Sequence, residues 1–196
     1  MPIQEYVTAE SDSNKARYVI PSFQDIDGEY ALAGSANPLP TQDIGNIRLE
    51  EGRSFAIGVI RTFADPLPAE SNIDIAIAFA EGVTPNLGIY GLCAGDALGY
   101  LYENSVVTGG TSLTASNKNR ASTAASQSVA LLNPTVTTLG TPILGQILIG
   151  GTGKKAGGGS VSGTDLILKP LTTYLFRLTN VNGTAHAAEI ILEWYE

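Results

Sequence analysis

The fold class is decided by "TTYLFRLTNVNGTAHAAEIILEWYE", residues 172–196. Large apolar residues occupy alternate positions in each half of this stretch: Tyr174, Phe176 and Leu178, then Ala188, Ile190, Leu192 and Trp194. Alternation with a period of two places these side chains on one face of a β-strand. The dipeptide Asn182-Gly183 lies between the two runs and suits a type I′ turn, which needs positive φ at both central residues. The stretch therefore predicts two strands joined as a hairpin.

The same alternation recurs upstream. Residues 72–80, "NIDIAIAFA", place four large apolar side chains on one face and small or acidic ones, including Ala76 and Ala78, on the other. Residues 53–60, "RSFAIGVI", and 98–102, "LGYLY", alternate likewise, and the second run places Tyr100 and Tyr102 on one face. Each pattern predicts a strand, and the small-residue face of 72–80 would allow another layer or chain to approach closely.

Turn signals separate these runs. Breakers such as "AGSANPLP", "ADPLPAESN" and "TGGTSL" recur every ~10–15 residues, a spacing typical of a β-sandwich or barrel. No stretch carries a convincing helical stripe, and residues 120–132 are predicted to be a loop that leads into a strand because their serines and threonines disfavour a helix. The chain is thus predicted to be all-β.

Composition narrows the classes of function. The chain has 196 residues, 15% of them charged, and a net charge of −8. An acidic protein binds nucleic acid or an anionic membrane poorly, since both are negatively charged and bind basic surfaces. We therefore expect neither partner.

The N-terminal residues differ from the rest. Residues 1–40 hold two short apolar runs among polar residues and end in the stiff "ANPLP", so they form either the first strands or an arm, and we favour an arm with some strand content. Residues 41–196 carry the regular strand pattern and form the predicted β-sandwich domain. The first 20 residues lack the basic-then-apolar layout of a signal peptide, so synthesis in the cytoplasm is expected.

One stretch suggests a nucleotide site. In "QILIGGTGKKAG", residues 146–157, an apolar run enters a glycine cluster that carries Lys154 and Lys155. A dinucleotide site needs a helix to begin there, but "GGGSVSG" follows, and the P-loop spacing fails at Leu148 and Lys155. Residues 147–149 are therefore predicted to be a core strand, and the glycines a long loop whose lysines aid solubility.

The remaining residues offer little for catalysis. His186 is the one histidine and Cys93 the one cysteine, so clustered metal ligands of the zinc or cupin kind are absent from the sequence. We interpret Cys93 as a small buried apolar side chain and His186 as a surface or packing residue. We expect no enzyme activity and no cofactor.

The C-terminal part resembles a known family. "ILKPLTTYLFRLTNVNGTAHAAEIILEWYE", residues 167–196, is similar to a C-terminal signature of tailed-bacteriophage virion proteins. "GGTSLTASNKNR" (109–120), "NPTVTTLGTPIL" (133–144) and "GGTGKKAGGG" (150–159) resemble the same family's middle region, so the resemblance covers roughly residues 85–196. A departure lies at Leu171, where the family has an asparagine that suits a tight turn.

The resemblance implies a capsid decoration, cement or head-fibre protein. Such a protein would have an all-β, jelly-roll-like sandwich, form a homotrimer, and bind the major capsid protein on the outside of a phage head. We hypothesise that the shell contact lies in the N-terminal segment, at Pro2, Ile3, Tyr6, Tyr18 and Ile20. The trimer contact is placed at Ala76, Ala78, Tyr100 and Tyr102, where a small-residue face and an aromatic face invite close packing.

Two alternatives stay open. One is a fibre-tip or baseplate module that binds a host-surface glycan, for which Tyr90, Tyr100, Tyr102, Trp194 and Tyr195 supply aromatic residues. The other is a cellular trimeric β-sandwich ligand of the tumour-necrosis-factor or C1q type, which ranks last because the chain shows no secretion signal.

Overall fold

The computed structural model of the protein describes residues 6–8, 19–24, 30–32, 44–83, 85–150 and 166–196. The chain divides into two compact units, residues 1–44 and 45–196. In the first unit, β1 (Tyr6–Thr8), β2 (Val19–Gln24) and β3 (Tyr30–Leu32) form an antiparallel sheet in the order β1-β2-β3.

The second unit is a β-sandwich preceded by one short helix, α1 (Ile44–Glu50). Its strands are β4 (Ser54–Arg61), β5 (Asn72–Ala78), β6 (Asn86–Cys93), β7 (Ala97–Glu103), β8 (Val106–Thr108), β9 (Thr111–Leu113), β10 (Ser116–Asn117), β11 (Val129–Leu132), β12 (Thr135–Thr138), β13 (Thr141–Ile149), β14 (Leu166–Ile167), β15 (Thr173–Asn180) and β16 (Ala188–Tyr195). The helix was not expected from the sequence, because seven residues make only two turns and cannot show a repeating apolar stripe.

The strand order is that of a jelly roll. One sheet has the order β10-β4-β16-β6-β14, the other β13-β7-β15-β5-β11-β9, and all pairs are antiparallel. β8 and β12 pair only with each other. Without the short additions β9, β10 and β11, eight strands remain in the two sheets. Successive strands among them alternate between the sheets, except that β7 and β13 pair in one sheet, and the last strand, β16, lies between the first and third. This arrangement is the double-sheet jelly roll. The predicted all-β, jelly-roll-like sandwich is confirmed.

The predicted C-terminal hairpin is wrong. β15 pairs with β5 and β7, whereas β16 pairs with β4 and β6 in the other sheet, so the two strands are not hydrogen-bonded to each other. Neither Asn182 nor Gly183 has the positive φ of a type I′ turn. Residues 181–187 instead cross from one sheet to the other. The reason is packing: both strands carry a row of large apolar side chains, and the crossing brings these rows face to face in the core.

Asn180 holds this crossing in place. Its side chain is fully buried, and Nδ2 lies within hydrogen-bonding distance of the carbonyl oxygens of Leu67 (3.2 Å), Pro68 (3.0 Å) and Thr184 (2.9 Å). Its Oδ1 accepts a hydrogen bond from the backbone N–H of Asn182 at 3.0 Å. A buried amide with both ends satisfied fixes the path of the chain where it leaves β15.

The core fills the space between the two sheets. The alternating residues of β4, β5, β15 and β16 that the sequence assigned to one face are buried there, and Trp194 contacts Phe55 and Phe79 with ring centroids 6.3 and 6.4 Å away. Ile149, in the predicted strand 147–149, projects from β13 between the sheets. A Cβ added to Gly91 or Gly99 would lie 2.7 or 2.9 Å from its Cδ1, so the two glycines make room for this side chain.

Candidate interaction surfaces

The outer face of the six-stranded sheet carries the residues predicted for the trimer contact. Ala76 and Tyr102 flank Leu175 on neighbouring strands, and Ala78 lies two residues further along β5. Tyr100 and Tyr102 are partly exposed and stack on each other, with centroids 5.9 Å apart and planes 17° apart. The structure therefore brings the four residues onto one face, but Ala76 is only 2% exposed and offers a partner almost no surface.

An ion pair braces this face. Arg177 Nε donates to Asp74 Oδ1 at 2.7 Å and Nη2 donates to Oδ2 at 2.6 Å, a bidentate arrangement that holds both side chains in one geometry. Tyr100 lies directly opposite Arg177 on β7. Partial burial raises the pKa of Tyr102, and the nearby Arg177 charge only partly offsets this effect, so the phenol is neutral at physiological pH. The face thus presents two stacked aromatic rings beside a bidentate ion pair.

The outer face of the five-stranded sheet carries a second surface, which the sequence did not indicate. Large apolar side chains project from it and from the loop after β4: Ile60, Phe63, Tyr90, Leu92 and Ile191, here called the Phe63 face. Phe63 is 85% exposed and Ile60 63% exposed. One feature of the sequence could have revealed this surface. Ile190 and Ile191 are consecutive apolar residues that break the alternation, so one of them must point away from the core.

Glycines shape the Phe63 face. Gly58 and Gly88 lie opposite Ile191 and Glu193 on the flanking strands, and neither contributes a side chain. One shallow depression of about 300 Å³ is lined by Tyr90, Gly91, Leu92, Ile191 and Glu193. A second, of about 240 Å³, lies where Phe63, Ile60, Leu92 and the backbone around Ala187 meet. The face is therefore apolar and indented rather than flat.

The predicted shell-contact residues are only partly described. Tyr6 lies in β1 and Ile20 in β2. The register of these two strands pairs Tyr6 with Pro21 and Val7 with Ile20. Pro2, Ile3 and Tyr18 lie outside the described residues, as do Lys154 and Lys155 of the glycine loop. The predicted strand at 147–149 is confirmed as part of β13.

Cys93 and His186 are placed as the sequence indicated. Cys93 is 4% exposed within the core, and burial raises the pKa of its thiol, so it stays protonated and unreactive at neutral pH. His186 forms an isolated backbone bridge with Leu67 and its Nε2 lies 3.0 Å from Thr184 Oγ1. The Cys93 side chain packs in the core, and the His186 backbone joins the inter-sheet crossing to Leu67.

The described part of the chain holds no group of three or more potential metal-ligating side chains. In the same residues, no helix is long and apolar enough to cross a membrane. No family model, curated protein or solved structure matches the chain.

Proposed function

We propose that this protein is a non-enzymatic structural component of a bacteriophage virion, which decorates the outside of the head and stabilises it. The observation that carries the proposal is the pair of outer sheet faces, on which large apolar and aromatic side chains are exposed on a rigid sandwich. A decoration protein acts by burying surface against its neighbours. A stable contact buries ~1,200–2,000 Å², and apolar area contributes on the order of 25 cal/mol per Å² before association costs.

The C-terminal resemblance supports the virion assignment. The residues that carry it, 167–196, include both central strands of the sandwich, β15 and β16. The family implied by these residues forms trimers, and three linked copies would engage three capsid sites together, so that weak single contacts add through avidity. The partners proposed are thus further copies of this chain and the major capsid protein, and the location proposed is the capsid surface.

The runner-up is a fibre-tip or baseplate module that binds a host-surface glycan. The stacked Tyr100 and Tyr102 rings favour it, because sugars pack against aromatic faces and the phenols are partly exposed. Arg177 and Asp74 lie beside them but bind each other, which leaves fewer polar groups to orient a sugar.

Copy number separates the two proposals. Quantitative gel analysis of purified virions should give a copy number comparable to that of the major capsid protein for a decoration protein. A few copies per particle would contradict the decoration proposal and favour a fibre tip or baseplate.

Deletion of residues 2–20 tests the shell contact. If this segment grips the shell, the deleted protein keeps the Trp194 fluorescence of its folded sandwich but no longer sediments with undecorated heads. A Tyr100→Ser variant, altered on the outer face of the six-stranded sheet instead, should still sediment with them. Undiminished binding of the deleted protein would refute the N-terminal contact.

Light scattering of the full chain at micromolar concentration tests the trimer, and a monomer would count against it.

A further inference from the structure

The Phe63 face presents an exposed aromatic side chain on a hydrogen-bonded loop. Phe63 lies in the loop that follows β4, and two hydrogen bonds brace that loop: Arg61 Nη1 donates to Asp65 Oδ2 at 2.7 Å, and the Asp65 backbone N–H donates to Thr62 Oγ1 at 3.2 Å. A braced loop loses less backbone entropy on binding than a free one, and an exposed aromatic ring offers a large apolar contact area, as interface anchors do. The loop therefore displays Phe63 ready for contact.

An apolar depression lies directly beside this ring. Its volume is about 240 Å³, and its walls include Ile60, Leu92 and Ala188. A phenyl ring fits such a space, since apolar cavities of roughly 150 Å³ accept benzene. The surface thus carries an exposed aromatic ring and an open depression, lined in part by the same ring, with room for a second one.

A patch that carries both a projecting ring and a depression is suited to bind a second copy of this chain. In a two-fold contact the same patch meets itself, so each copy must supply both the inserted group and its receptor. The charges at the rim are of mixed sign, because Glu189 and the ion-paired Arg61 both line the depression, so a self-contact does not bring together large patches of one charge. A different partner would need only one of these two features.

We infer that a second copy of this chain docks on the Phe63 face about a two-fold axis, with each Phe63 ring in the depression of the other copy. The three long strands at the centre of the sheet span roughly 15 Å by 27 Å, so with the edge strands and the Phe63 loop the face offers on the order of 500–600 Å². A standard contact buries ~800 Å² on each partner, so the dimer is small and depends on protein concentration. The inference does not depend on the virion proposal.

Sedimentation velocity of the wild type and a Phe63→Ser variant tests the inference, over roughly 5 to 200 µM. The wild-type mass should double across this range. If the protein is otherwise monomeric, the mass rises from that of one chain to that of two; if a trimer forms through another surface, it rises from that of three chains to that of six. The Phe63→Ser variant should keep the smaller mass, with a dissociation constant raised at least ~10-fold, the loss expected for an anchor residue.

Leu171→Ser is the matched control, because Leu171 is also a large apolar residue, 72% exposed, in a turn away from this face. Its mass should double like that of the wild type, and both variants should keep the Trp194 emission of the folded protein. The inference fails if the wild type does not double, if Phe63→Ser doubles equally, or if Leu171→Ser loses the doubling too. A wild type that does not double would leave the Phe63 face to a different protein, such as the capsid shell.

Discussion

Leu171 adopts a backbone conformation that suits a different residue. Its φ is +52°, in the left-handed region, and it follows Pro170 in the turn before β15. A proline followed by a residue with positive φ is the pattern of a type II turn, which favours Gly or Asn at the second position. The resemblance of residues 167–196 implies the same residue, because the resembled pattern has Asn at this position.

We predict that Leu171→Asn stabilises the protein by about 0.5–1 kcal/mol, since Asn tolerates positive φ better than Leu does. Little packing is lost, because the Leu171 side chain is exposed. Urea unfolding followed by Trp194 fluorescence measures the change. Leu171→Ala is the control and should not stabilise, since alanine is no better suited to this conformation. An unchanged or lower midpoint for Leu171→Asn would show that the turn imposes no strain.

The carboxylate of Glu196 joins the end of strand β16 to a neighbouring loop. The Glu196 side chain accepts hydrogen bonds from Ser126 Oγ (2.5 Å), Ser128 Oγ (2.6 Å), the Gln127 N–H (2.9 Å) and Trp194 Nε1 (3.0 Å). Burial by itself would raise the pKa of Glu196, but these hydrogen bonds outweigh it and hold the pKa below its ordinary value of 4.5. The carboxylate thus fastens the loop before β11 to the C-terminus of the last strand.

This arrangement makes part of the stability depend on pH. Because the pKa of Glu196 is lower in the folded protein than in the unfolded chain, its contribution is present above pH 4.5 and is lost as the pH falls below that value. We predict that Glu196→Gln lowers the free energy of unfolding by about 1–2 kcal/mol at pH 7, as expected when hydrogen bonds to a charged group are weakened. Wild type and variant should converge towards pH 3.

Chemical unfolding at pH 7, 5 and 3, followed by circular dichroism, measures this dependence. Glu70→Gln is the control, since Glu70 is exposed in the loop before β5, and it should differ from the wild type by less than ~0.5 kcal/mol at each pH. A constant difference between wild type and Glu196→Gln at all three pH values would contradict the prediction.

At the scale of the whole molecule, residues 45–196 contain a complete sandwich. The core residues that the structure describes all lie between Phe55 and Trp194, and both sheets are built from strands of this unit. A unit with its own core can fold by itself.

We therefore predict that a fragment of residues 45–196 unfolds cooperatively, with the same urea midpoint as the sandwich in the full chain. Trp194 is the one tryptophan and lies in the core, so its fluorescence reports on the sandwich in both proteins. A fragment that is unfolded in buffer, or whose midpoint is clearly lower, would show that residues 1–44 contribute to the stability of this unit.

The sequence by itself determined where four of the long strands lie, β4, β5, β15 and β16, and which face of each is buried. Period-two alternation is a local property of the chain, so the inward positions of β4, β5, β15 and β16 could be predicted, as could the burial of Cys93. The shared face of Tyr100 and Tyr102 followed from the same rule.

Only the tertiary structure decided which strands pair and which outward residues stay exposed. β15 and β16 looked like a hairpin because their turn residues suit one, yet each is hydrogen-bonded to strands distant in sequence, and the buried Asn180 directs the chain across the sandwich. The Phe63 face arises because β4, β6 and β16 become neighbours, which brings together apolar residues far apart in the chain. Strand pairing depends on the burial of apolar faces between distant segments, and no local pattern contains that information.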